Sequence, residues 1–286
     1  MVNLYILIDS QRTKLVFGTG AAAPAPEVAP SPPQKPYGQI KDRVAIISDT
    51  QYTTRLVPLI LHFHSVLGPE WPIIFYTTEQ TRDQNLTHNS AIWKRAVEDG
   101  RIQVRIIPDE FDLTQRHGVN LFLSRPWLWE QLAPAQHVLV FQADAMICGN
   151  SHHTVDDFLE WDFIGAALHS SEKLFNGGLS LRNRTMILDI LRDGGNWEEE
   201  VESGAWTMGG EDIWFSRRMD QRGGHLPDVN KAIQFSCEHQ WHVDRQKQPL
   251  GYHKVHKYAG SKIGEITEWC PEITLAKPGA LADGNE

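Results

Sequence analysis

The sequence predicts an α/β fold built on a doubly wound, mainly parallel sheet. Two observations lead there. From Arg43 onward, short β-branched runs alternate with apolar-periodic segments at close spacing, the pattern of parallel strands linked by helices. The run from Val138 to Phe141 is apolar at every position, as in a strand covered on both faces. At 286 residues, 41% of them hydrophobic, the chain can bury a substantial core in one large or two small domains.

The elements follow in order. Arg43 to Ser48 reads as a first strand, and Asp49, Thr50 and Gln51 close it. A helix spans about Arg55 to Leu67 and stops at Gly68 and Pro69. Pro72 to Thr77 is a second strand with Glu79 beyond it. Ser90 to Asp99 is a helix terminated by Gly100. Ile102 to Ile107 is a third strand, and Val119 to Leu132 a helix that Pro126 begins or kinks. The central strand comes next, running into Asp144. An acid there either closes a turn or points into the crevice where α/β sheets bind ligands.

Past Cys148 the texture changes. Thr154 with Asp157 forms a capping pair, which makes Asp156 and Asp157 structural. Phe163 to Ala167 is a small-residue strand. In Phe175 to Arg182, Asn176-Gly177-Gly178 is either a hairpin turn or backbone passing close to a ligand. A helix covers roughly Thr185 to Leu191 and ends at Gly194 and Gly195. Gly209-Gly210-Glu211-Asp212 opens a helix to about Met219, its acids complementing the dipole or serving chemistry. Tyr252 to Lys257 is a His-rich loop, either solvated surface or the source of one metal ligand.

Composition removes several classes. A formal net charge of -9 argues against a general nucleic-acid binder, though a nucleotide held by local groups stays open. Three widely separated cysteines, Cys148, Cys237 and Cys270, indicate neither a zinc knuckle nor a disulfide scaffold. No dinucleotide fingerprint follows the first strand, and no phosphate-binding Gly-Lys loop occurs. The ten tryptophans fit core packing or sugar stacking. Asn85-Leu86-Thr87 and Asn183-Arg184-Thr185 match the short glycosylation sequon.

Val2 to Ile8 is too short to span a bilayer, so it reads as the trimmed end of an anchor or a disordered start. Ala21 to Pro36 reads as a stiff, unfolded linker. The expected organisation is a disordered N-terminal segment with its linker over 1–40, a folded domain over 41–270 and a flexible tail over 271–286. An upstream anchor would make this a type II membrane protein of the secretory pathway and Golgi lumen; without one the chain is cytoplasmic.

Three segments in sequence, Phe141-Gln142-Ala143-Asp144, Phe175-Asn176-Gly177-Gly178-Leu179-Ser180 and Gly209-Gly210-Glu211-Asp212, resemble the GT-A class of nucleotide-sugar glycosyltransferases. The match, over about Arg43 to Lys257, looks most like an uncharacterised, largely fungal family of glycosyltransferase-like domains. Those carry motifs resembling Phe-Gln-x-Asp-x-x-x-Cys and Asn-Gly-Gly-Leu-Ser-x-Arg. The motif order is also similar to that of the β-1,4-galactosyltransferases. The resemblance implies a mixed, mainly parallel central sheet flanked by helices in a single domain. It implies transfer of a sugar, from a UDP-sugar, to an acceptor hydroxyl with inversion.

Residue roles come with it. Asp144 matches the metal-binding acid of Asp-x-Asp, and His253 the late metal-binding histidine, for Mn²⁺ or Mg²⁺. Asn176, Gly177 and Gly178 match the loop lining the donor sugar. Asp212 matches the general base, with Glu211 and the Gly209-Gly210 pair holding substrate. Gln142 replaces the first acid of Asp-x-Asp, and Ile213 replaces a third acid after Glu211-Asp212. Position alone adds Asp49, Thr50 and Glu79 as nucleoside contacts at strand ends, and Arg125 as a diphosphate contact or a surface residue. Two competing readings are a catalytically inactive sugar- or nucleotide-binding domain, which Gln142 favours, and a hydrolase built on Asp144 and Asp212.

Overall fold

Nine strands run through the described residues: β1 (Arg43–Ser48), β2 (Ile73–Thr77), β3 (Ile102–Ile106), β4 (His137–Phe141), β5 (Ala145–Ile147), β6 (Phe163–Ala167), β7 (Phe175–Asn183), β8 (Ser236–Cys237) and β9 (Gly251–His253). The computed structural model describes residues 38–239 and 248–279, all within the unit Pro36–Glu286. The readings of Val2 to Ile8 and of the linker fall outside those residues.

Six strands form the central sheet in the order β3-β2-β1-β4-β7-β6. The pairs β1–β2, β1–β4 and β2–β3 are parallel, as short strand–helix alternation requires. Strand β7 runs antiparallel to both β4 and β6. The sheet is therefore mixed and mainly parallel, flanked by helices.

Side chains of β4 alternate between two buried layers. Leu139 and Phe141 join the layer with helix Leu56–Leu67, where Phe63 stacks on Phe141 at 3.9 Å. Val138 and Val140 join the layer holding Trp129, Trp214 and Phe215. Continuous hydrophobicity in that run is thus the signature of two covered faces.

Several expectations need correction. Pro126 splits the expected long helix into Arg116–Ser124 and Pro126–Glu130, with Arg125 extended between them. A residue preceding proline is driven out of the helical region. Asn176-Gly177 makes no hairpin; it lies inside β7, where the pairing with β6 shifts register. The expected His-rich loop begins as strand β9, which completes a second, three-stranded sheet in the order β5-β9-β8. Asn183, the second sequon, is committed to structure: its Oδ1 caps helix Arg184–Arg192 and its amide donates to Asp162.

The tail and the cysteines also differ from the sequence reading. Cys148 and Cys270 form a disulfide across a separation of 122 residues. Pro271–Ala276 is a 3₁₀ helix with Ile273 and Ala276 fully buried, so the fold extends beyond residue 270. Cys237 is a buried free thiol whose pKa burial drives upward.

Candidate active site

The end of β4 and the end of β9 meet at one point. Antiparallel pairing sets Ala145 opposite His253, and Lys254 N–H donates to the Asp144 carbonyl at 3.1 Å. This brings His253 Nε2 to 3.2 Å from Asp144 Oδ1 and 3.2 Å from Gln142 Oε1. On the other side of the ring, Nδ1 lies 3.4 Å from Glu238 Oε1. The parallel register of β8 with β9, Cys237 beside Tyr252, places Glu238 there. Lys254 Nζ is 3.9 Å from Asp144 Oδ2.

Electrostatics follow from burial against charge. Burial opposes charge on the His253 ring, but Asp144 and Glu238 outweigh it and the pKa lies above its ordinary value. Burial likewise opposes charge on Asp144, yet His253 and Lys254 hold its carboxyl below the usual range.

The Gly-Gly pair explains why these strands approach so closely. A Cβ on Gly178 would sit 2.1 Å from His253 Nε2. A Cβ on Gly177 would sit 2.3 Å from Arg182 Nη2 and 2.8 Å from Asp212 Cβ. The glycines make room for the protein's own histidine and acid, which corrects the hairpin reading and gives the close approach a different cause.

Glu211 and Asp212 start helix Glu211–Gln221. Gly209 has φ +131°, a conformation that glycine tolerates, and its carbonyl accepts from Trp206 Nε1 at 3.0 Å. A Cβ on Gly210 would sit 2.6 Å from Asn120 Oδ1. Neither glycine lines the cleft described below; they shape the turn that opens the helix of Glu211 and Asp212.

Asp212 Oδ2 accepts from Gly177 N–H at 2.9 Å and Oδ1 from Ile213 N–H at 2.9 Å. These bonds fix the carboxylate and leave it further acceptor capacity. Glu211 behaves differently. Both its oxygens are taken by Arg182, Nη1 to Oε2 at 2.8 Å and Nη2 to Oε1 at 3.2 Å. Burial lifts its pKa to about 7, against the pull of Arg182 and with the push of Asp212. It therefore ties the start of the helix to β7 through Arg182.

Gln142, Asn176, Gly177, Gly178, Glu211, Asp212 and Lys254 share the wall of one cleft of about 240 Å³, together with Arg116, Asn120, Glu238, Lys257 and Tyr258. Asp144 stands behind this wall, through His253 and Lys254. Arg125 is elsewhere: it pairs with Glu198 beside a separate cavity, the surface alternative of the sequence reading. Asp49, Thr50 and Glu79 follow the carboxyl ends of β1 and β2, the end of the sheet at which β4 runs toward Asp144, but do not line the cleft. Asp49 Oδ1 accepts from Gln51 N–H, the Thr50 carbonyl accepts from Thr81, and Glu79 is exposed, 3.8 Å from Arg82.

Sequence reasoning singled out neither Arg182 nor Glu238, nor Arg116, Asn120, Lys254, Lys257 and Tyr258 of the cleft wall. Arg182 carried a signal: an arginine on a strand buried on both faces requires a carboxylate partner. Glu238 carried none, because its role depends on the pairing of two very short strands.

The donor set suits a divalent ion. Asp144 Oδ1 is buried and receives no hydrogen bond from a described residue. Adjacent ligands of an octahedral Mg²⁺ or Mn²⁺ lie about 3 Å apart, near the separations around His253 Nε2. Glu238 on the far nitrogen supplies the carboxylate that orients metal-binding histidines. No group of three His, Cys, Asp or Glu able to hold an ion occurs among the described residues. Two protein donors, completed by phosphate oxygens and water, are an ordinary arrangement for such ions.

With this geometry in hand, one comparison decides the family. A family model described as "Protein of unknown function (DUF5672)" matches residues 101–253, just over half the chain. The chain belongs to this family. The matched span of the DUF5672 chain contains Asp144, Asn176, Glu211, Asp212, Glu238 and His253. No curated protein matches. Among solved structures, the apo-form glycosyltransferase GlyE of Streptococcus pneumoniae TIGR4 is 10% identical with a TM-score of 0.46, over 76% of this chain and 55% of that one. The DUF5672 chain thus spans about half the length of GlyE. The mannosyltransferase PcManGT of Pyrobaculum calidifontis, solved with GDP-Man and Mn²⁺, is 12% identical with a TM-score of 0.45, over 84% and 67%. A glycosyltransferase involved in glycosylating the major capsid of PBCV-1 is 12% identical with a TM-score of 0.47, over 80% and 100%.

Proposed function

We propose that this chain is a glycosyltransferase that moves a sugar from a nucleotide-sugar donor, a UDP-sugar, to an acceptor hydroxyl. One observation carries the reading: Asn176, Gly177, Gly178 and Asp212 line one cleft, and Gln142 and Lys254 on its wall contact the Asp144–His253 pair behind it.

A divalent ion at Asp144 and His253, when bound, stabilises negative charge on the leaving diphosphate. Lys254, Lys257 and Arg116 add fixed positive charge on the cleft wall. Asp212 takes the proton of the attacking hydroxyl. The acceptor oxygen bonds to the anomeric carbon as the bond from that carbon to the phosphate oxygen breaks, and the nucleoside diphosphate leaves with the electron pair. A positioned base of this kind contributes about 10²–10⁴-fold.

The commitment of Glu211 to Arg182 favours inversion. Retention through a covalent intermediate needs a second, nucleophilic carboxylate, and Glu211 has both oxygens bonded to the guanidinium.

The Cys148–Cys270 disulfide supports an oxidising compartment, in keeping with the secretory pathway and Golgi lumen. No helix among the described residues is long and apolar enough to cross a membrane.

The test is a donor-hydrolysis screen across nucleotide sugars with Mn²⁺, Mg²⁺ and chelator, alongside calorimetry with UDP and GDP. Asp212→Asn is expected to lower turnover by about 10²–10⁴-fold and leave nucleotide affinity intact. Tight, metal-enhanced nucleotide binding without turnover of any donor would favour the binding-only domain.

A further inference from the structure

Asp212 lines two adjoining cavities. The first is the cleft carrying Gln142, the glycine pair and the two lysines. The second, of about 470 Å³, shares Arg116, Asn176, Asp212, Glu238 and Tyr258 with it and adds Leu168, Ile213 and His239. Its volume lies within the range of small-molecule sites. Gln142, Gly177, Gly178 and Lys254 line the first cavity alone.

We propose that this second cavity binds the acceptor and that the acceptor is a carbohydrate. The proposal rests on the glycosyltransferase reading above and deepens it. Position supplies the first argument. A base that deprotonates the acceptor must reach its hydroxyl where that hydroxyl meets the donor sugar, and Asp212 lines both spaces.

Chemistry supplies the second. Carboxylates, an amide, a guanidinium and an imidazole give hydroxyl donors and acceptors all around the wall. The Tyr258 ring, 46% exposed, is braced by His239 at a centroid distance of 5.4 Å and by Lys257 Nζ at 5.0 Å. An aromatic face ringed by hydroxyl-binding groups matches a sugar, whose rings have C–H faces and polar edges. A lipid acceptor would need an unbroken apolar wall, and nucleic acid would meet two carboxylates.

The experiment uses the full chain, Mn²⁺ and whichever nucleotide sugar it hydrolyses. Methyl glycosides and disaccharides, serine- and threonine-containing peptides, and a long-chain alcohol phosphate are offered as acceptors, with products read by mass spectrometry. Transfer to saccharides is expected. Leu168→Trp, which fills only the second cavity, should raise the saccharide KM at least about tenfold with UDP affinity within about twofold of wild type. Tyr258→Ala should weaken saccharide more than UDP.

Transfer confined to peptide or lipid overturns the proposal. So does a saccharide KM unmoved in both variants, or saccharide and UDP weakened in parallel. A wild-type chain that hydrolyses donor and accepts no saccharide overturns this inference alone. One that neither binds nor hydrolyses any nucleotide sugar overturns the glycosyltransferase reading with it.

Discussion

Arg182→Met is the most searching test of how the acid loop is held. The guanidinium is fully buried, bonds both oxygens of Glu211, and lies 4.8 Å from the Phe163 ring centre. Removing it strands a buried carboxylate, a change that costs about 3–5 kcal/mol. The pH dependence is more specific than that total. In the native fold, burial raises Glu211 from 4.5 to about 7. Its neutral form therefore contributes stability that is complete below about pH 4.5 and is lost as pH rises to about 7, roughly 3 kcal/mol at 1.36 kcal/mol per unit. Above that the wild-type contribution levels off, because Arg182 accepts the ionised form. Without Arg182 the folded pKa moves above 7 and the loss continues. The gap between variant and wild type should widen by about 2 kcal/mol from about pH 7 to about pH 9. Urea denaturation across that range measures it. The added variant Arg182→Met/Glu211→Gln should abolish the widening. A gap that stays constant with pH would refute the claim that the guanidinium holds this carboxylate.

Three other outcomes follow from the same geometry. Gly178→Ala places a methyl where His253 sits, so it should cost about 1–3 kcal/mol in stability and weaken Mn²⁺-dependent UDP binding, both measurable by denaturation and calorimetry. Glu238→Gln removes the carboxylate beside His253 Nδ1, and Mn²⁺ affinity should fall about 10–100-fold in titration calorimetry with UDP present. Cys148→Ser with Cys270→Ser opens a loop of 122 residues and should lower stability by about 2–4 kcal/mol, seen equally when wild type is reduced.

What could be read from sequence was whatever local physics fixes. Runs such as Arg43 to Ser48 and Val138 to Phe141 declare their strands through hydrophobicity, and Gly68 and Gly100, at φ +75° and +74°, mark helix ends by backbone preference. Thr154 and Asp157 form the capping box their spacing announces. Asp144, Glu211 and Asp212 were visible as candidates, although an acid at a strand end or a helix start also closes turns and complements dipoles. What stayed hidden is what only pairing creates. β5, β8 and β9 are two or three residues long, too short for any periodicity, yet their register alone sets Glu238 and Asp144 on either side of His253. The Cys148–Cys270 bond was hidden for the same reason, since cysteine spacing says nothing of which loops meet.

The four glycines show how the two kinds of information join. Sequence marks them as places where a side chain is forbidden. The structure supplies the forbidding atoms: His253 at Gly178, Arg182 and Asp212 at Gly177, Asn120 at Gly210, and the left-handed backbone at Gly209. Of these residues only Arg182 lies near its glycine in sequence, five positions from Gly177. The glycines therefore act as joints of the site, and a methyl group at any of them should disturb an acid or the histidine before it disturbs a ligand.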